Sequence, residues 1–123
     1  MLNEYLTYIQ ESYDVNSLPK DLVKALLTKV YPEYYPGGKP YNIKDIEEYN
    51  NNSLNILKKY EKDSLPFQRK MKLYGIAKYS NGDMLWYSFV DKKVHLHSRE
   101  LGGFEVNKSI PYKEFIKNWE ALS

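Results

Sequence analysis

The apolar residues of this chain change their period once, and that change constrains the fold more than any other feature. As far as residue 60 they recur at three- and four-residue spacings, the repeat of a helix face; from residue 71 they alternate, the repeat of a strand. A final helical pattern closes the chain. Helices, then strands, then one more helix is the order of an α+β domain. It predicts an antiparallel sheet, a meander of three or more strands, with N-terminal helices and a C-terminal helix packed on one side of it.

The first stripe consists of Leu2, Tyr5, Leu6, Ile9 and Tyr13, and residues 14–17 interrupt it. A second helix is expected from Pro19, with Ser17 as a cap, Asp21 near the positive end, and Leu22, Val23, Leu26, Leu27 and Val30 buried. It stops before Pro32. Residues 31–41, YPEYYPGGKPY, hold three prolines and two glycines and read as a loop. Asn42 then caps a third helical region, in which Ile43, Ile46, Leu54, Leu57 and Tyr60 keep phase. The polar run 50–53 is where that region would split into two short helices.

In residues 71–80, Leu73, Gly75, Ala77 and Tyr79 fall on one face, and Tyr74, Ile76 and Lys78 on the other. Asn81-Gly82 follows, a pair suited to a two-residue hairpin turn with positive φ at both positions. Residues 84–90 are apolar on both faces and read as a central strand. Asp91-Lys92-Lys93 forms the next turn, and residues 94–98 form a third strand with Val94 and Leu96 inward. Gly102-Gly103 marks a loop, and residues 105–107 could add a short strand. The last helix is expected to start at Ser109 or Ile110, with Pro111 in its first turn and Phe115, Ile116, Trp119 and Leu122 buried.

The 123 residues fit one domain, 1–123, with enough surface to bury a core unaided. The absence of cysteine favours a reducing compartment. The first residues lack the basic and apolar runs of a secretion signal, and no stretch reaches the roughly 18–20 apolar residues of a membrane span. A cytoplasmic location and no membrane partner follow as expectations. A net charge of +2, with lysines interleaved among acids along the chain, describes a mixed solvated surface and argues against a nucleic-acid partner.

Catalysis needs a nucleophile, a base or a metal. Cysteine nucleophiles, a Gly-x-Ser-x-Gly elbow and a phosphate-cradling glycine loop are all missing from the sequence. His95 and His97, two apart on a strand, share a face and offer at most two metal ligands, with Asp83 or Glu100 as possible additions. Alternation places them toward solvent or a neighbouring layer. Neither a resident cofactor nor an enzymatic activity is expected. There are 13 tyrosines, and Tyr carries apolar area with a polar tip. Tyr31, Tyr34, Tyr35 and Tyr41, with Lys39 among them, crowd the proline-rich loop and are the expected partner-binding residues, because a rigid loop of tyrosines loses little entropy on binding.

Three stretches carry a family likeness. Leu18-Pro19-Lys20-Asp21-Leu22 opens an early helix; Tyr41-Asn42-Ile43-Lys44-Asp45-Ile46-Glu47-Glu48-Tyr49-Asn50 is a second helical element; and Gly75 through His97, with Asn81-Gly82-Asp83 between strands, is followed by Ser109-Ile110-Pro111-Tyr112-Lys113-Glu114-Phe115-Ile116-Lys117-Asn118-Trp119. Together they resemble the SUKH superfamily of bacterial toxin-immunity proteins, whose Asn-Gly-Gly after the first core helix is here Pro36-Gly37-Gly38. The resemblance implies an immunity protein that binds a cognate toxin and neutralises it by protein contact, without catalytic residues. The alternatives are an inhibitor that binds nucleic acid or a nucleoprotein, and a small metal-dependent enzyme built on His95 and His97.

Overall fold

The computed structural model describes residues 14–28, 42–79 and 81–118. The expected first helix, the proline-rich loop and the Trp119–Leu122 end of the closing helix lie outside them. Within them the order is α1 (Lys20–Thr28), α2 (Ile43–Tyr60), α3 (Leu65–Lys70), β1 (Leu73–Lys78), β2 (Met84–Ser88), β3 (Lys93–Ser98), β4 (Gly103–Pro111) and α4 (Tyr112–Lys117). The four strands form one antiparallel sheet in the order β1-β2-β3-β4, so the α+β meander is as expected.

Helix entry follows local chemistry. Asn42 caps α2 reciprocally: its side chain accepts from the Asp45 N–H, and the Asp45 carboxylate accepts from the Asn42 N–H. Ser17 does not cap α1. It closes a one-turn helix, Val15–Ser17, whose cap is Asp14. Pro111 is the last residue of β4 and stands just before α4, so Ser109 and Ile110 belong to the strand. The short strand expected at 105–107 is the middle of the nine-residue β4.

Helices cover both faces of the sheet, not one. On one face Leu85, Tyr87, Val94 and Leu96 pack under α1, Phe115 of α4 and Ile46 of α2. On the other, Met84 and Trp86 pack with Leu57 of α2 and are flanked by Phe67 of α3 and by Phe104. Both-sided burial explains why residues 84–87 read as apolar on both faces.

Helix α2 runs along the β1 edge and contributes to both layers. It does not split at 50–53. Asn50 and Ser53 are buried there, and the Asn50 side-chain oxygen accepts the Gly75 N–H at 2.9 Å. The polar run marks the place where helix meets strand backbone and satisfies a donor at the sheet edge.

Strict alternation fails in β1. Gly75 pairs with Trp86 and Ala77 with Leu85, leaving Ile76 as an extra residue in a bulge. Beyond the bulge the faces exchange. Ala77 and Tyr79 therefore join Tyr74 and Ile76 in the first core, and Lys78 comes level with Met84 on the other face. The following turn is closed by the Tyr79 N–H to the Asp83 carbonyl and the Gly82 N–H to the Tyr79 carbonyl, with Gly82 at φ +99°. It is a longer turn than the expected two-residue one, and Gly82 takes positive φ.

Tyr74 and Tyr87 are buried in the first core, and burial, aided by nearby carboxylates, pushes both phenols up to about 12. Unfolded tyrosines ionise near 10, so the unfolded state loses protons first as the pH rises. Stability present below pH 10 should therefore decline between about 10 and about 12. Thermal melts across that range check this; a flat melting temperature would contradict it.

Candidate functional site

At one end of the second face lies a cleft of about 440 Å³. Ile56, Tyr60 and Glu61 from the C-terminal end of α2 form one wall, and Lys78, Met84, His97 and Arg99 from the sheet form the other. The size is ordinary for a ligand or side-chain receptor. Strand register sets the sheet wall: Lys78 pairs with Met84, and Met84 with His97, so the three stand in one row across β1, β2 and β3. Arg99 follows His97 by two residues, just past the strand, and also lines the cleft.

His97 is 1% exposed, and neither of its ring nitrogens has a hydrogen-bond partner among the described residues. Its ring stands edge-on to Phe104 at 5.0 Å. Burial pushes the imidazole below its ordinary pKa, while the Glu61 carboxylate, a contact with the residue's own backbone too poor in geometry to count as a hydrogen bond, and the Asp83 carboxylate pull the other way. A neutral imidazole has one donor and one acceptor to satisfy. Buried polar groups are ordinarily paired, so two unpaired nitrogens on one ring are a departure that needs a cause.

Surroundings of the cleft are held firmly. One Asp83 oxygen accepts the Arg99 backbone N–H at 2.9 Å, tying the β1–β2 turn to the end of β3, and the other is within 3.3 Å of the Asn81 amide nitrogen. The Arg99 side chain lies along Gly82, where an added Cβ would stand 2.5 Å from Cδ. Across the cleft, Gly102 faces Glu61, with room for no more than close contact: a Cβ there would lie 3.2 Å from a carboxylate oxygen. The β3–β4 turn thus abuts the end of α2. Leu101, in that turn, and Tyr60, at the end of α2, are each 69% exposed, and the Lys59 ammonium lies 5.2 Å from the Tyr60 ring centre.

His95 is different. Both histidines share a face, as their spacing requires, and that face is covered by a neighbouring layer. The His95 Nε2 meets an Asp91 oxygen at 3.0 Å, and its ring is edge-on to Phe67. Burial acts to raise the Asp91 carboxyl, but hydrogen bonds from Lys93 and Ser88 and the nearby His95 outweigh it and hold it below the ordinary value. Asp91 and His95 clasp the β2–β3 turn. Among the described residues no group of three or more His, Cys, Asp or Glu is arranged to hold a metal ion, and neither Asp83 nor Glu100 completes such a group. No helix among them is long and apolar enough to cross a membrane.

Tyr31, Tyr34, Tyr35, Lys39 and Tyr41, the expected contact residues, lie outside the described residues. Sequence reading missed Tyr60, Glu61, Lys78, Arg99 and Leu101. The bulge hid Lys78, and no periodic signal links the end of a helix to a turn some forty residues later. No family model matches the chain, and no curated protein or solved structure is significantly similar to it.

Proposed function

We propose that the domain is a binding protein that neutralises a partner protein by contact, in the manner of an immunity protein against a cognate toxin, and that the cleft and its rim form the contact face. The observation that carries the reading is a preformed cleft lined by exposed Tyr60 and by Arg99, with exposed Leu101 in the turn that abuts the end of α2. Tyr and Arg around a pocket are the usual composition of residues that dominate interface energies. The resemblance of the helix-opening and hairpin stretches to the SUKH pattern supports the same reading.

The test is co-expression with the product of the neighbouring reading frame, followed by affinity capture of the tagged chain. A stoichiometric complex that suppresses the neighbour's toxicity is expected. Tyr60→Ala combined with Leu101→Asp should abolish capture while shifting stability by no more than about 0.5 kcal/mol, since both side chains are exposed. Full protection by the double variant would remove this face from the account. Failure to hold any protein partner at any ionic strength would remove the function.

A further inference from the structure

We propose that the end of the sheet opposite the cleft is a second contact surface, where a basic cluster around exposed Val90 fits an acidic protein segment with an apolar side chain at its centre. Strand β1 runs from this end to Lys78 at the cleft. Three chain segments meet here. The Phe89 N–H donates to the Lys72 carbonyl at 3.2 Å, and the Tyr112 N–H to the Lys92 carbonyl at 3.1 Å, so residues 69–72, 88–93 and 111–113 are joined backbone to backbone. They carry Arg69, Lys70, Lys72, Lys92, Lys93 and Lys113 against one acid, Asp91, in a chain whose net charge is only +2. Asp91 is engaged by the Lys93 N–H and by the His95 ring, each at 3.0 Å. Asp21 of α1, beside the Tyr112 phenol, and Glu114 of α4 border the cluster. Arg69, Lys70, Lys92 and Lys113 are exposed, and none of the four is in an ion pair with another described residue.

Two features mark this end as more than a solvated face. Lys72 and Lys92 are the non-glycine residues at positive φ among the described residues, at 50° and 58°. That backbone region suits glycine, and a lysine there costs stability. No hydrogen bond or ion pair from the exposed Lys92 side chain to another described residue offsets the cost. A lysine placed where glycine would fold better points to a use for its charge. The second feature is Val90, 53% exposed in the β2–β3 turn. The Ser88 hydroxyl accepts its N–H at 3.1 Å and that of Asp91 at 3.2 Å, so the turn is set before anything binds. An apolar residue among cations is complementary to a protein surface of the same pattern and opposite sign. A nucleic-acid backbone has no apolar group to cover Val90. The neighbouring Phe89 and Tyr112 rings are half-buried and edge-on to Tyr87, a poor platform for stacked bases.

The full chain, isotope-labelled at its backbone amides, is titrated with a blocked peptide of glutamates around one valine, the same peptide with lysine for glutamate, a DNA duplex, and vesicles of anionic lipid. The acidic peptide is expected to shift amides of the three segments saturably, to leave Tyr60 and Leu101 unmoved, and to bind more weakly as salt rises. Lys92→Gly removes the strained side chain, so it should melt no lower than the parent yet bind the peptide about threefold more weakly. Lys92→Glu combined with Lys113→Glu should weaken binding about tenfold or more. Equal binding by Lys92→Gly, shifts scattered over the lysines of the whole chain, or a lysine peptide, duplex or vesicle that matches the acidic peptide would overturn the proposal. A lower melting temperature for Lys92→Gly would assign that lysine to the fold and overturn it as well. None of these outcomes depends on the co-expression assay, so the cleft reading stands or fails separately.

Discussion

Gly75→Val is expected to destabilise the protein by about 3 kcal/mol, although valine is a far better strand residue than glycine. The cause is space, not backbone conformation, since Gly75 is absent from the positions with positive φ. Helix α2 crosses β1 at this point. A Cβ on residue 75 would lie 3.1 Å from the Asn50 Cα, 3.2 Å from the Ser53 Cβ and 3.3 Å from its hydroxyl oxygen. The first of these is helix backbone and cannot swing aside as a side-chain tip can. Moving the helix outward would also stretch the 2.9 Å bond between the Asn50 side chain and the Gly75 N–H, leaving a buried donor unpaired. Gly75→Ala should show a smaller loss of the same sign. Denaturant midpoints measure both; a valine variant as stable as the parent would show that α2 is not pinned at this crossing.

That crossing also shows where sequence and structure part. The change of period, the Asn42 cap and the both-sided burial of β2 were legible because each is local. Asn50 and Ser53 read as a helix break because polar residues usually face water or turns. Their real partner, Gly75, is 25 positions beyond Asn50. The β1 bulge was invisible for a related reason: a single extra residue leaves composition unchanged yet exchanges every following side chain between faces. Lys78 reached the cleft by that exchange. The His95 and His97 pair was visible as a pair, but the difference between them was not, because it depends on Asp91 folding back onto one ring and no described residue doing so for the other.

His97 carries the account. Its two ring nitrogens, like the indole nitrogen of Trp86 in the same layer, are buried without a hydrogen-bond partner among the described residues, whereas His95 is satisfied by Asp91. Each unpaired buried polar atom costs about 1–3 kcal/mol. Methionine is close in size, adapts to irregular space and suits the neighbouring Phe104 ring. His97→Met should therefore stabilise the protein by about 2 kcal/mol. The pH dependence follows from the lowered imidazole pKa. The unfolded state binds the proton near 6.5 while the folded state resists it, so the parent loses stability as the pH falls below 6.5 and the variant lacks that loss.

Melting temperatures of parent and His97→Met, compared at neutral pH and again in mild acid, test this most directly. The account predicts a higher value for the variant at neutrality and a wider gap in acid. A variant that melts lower at both would mean that the imidazole is held for the fold.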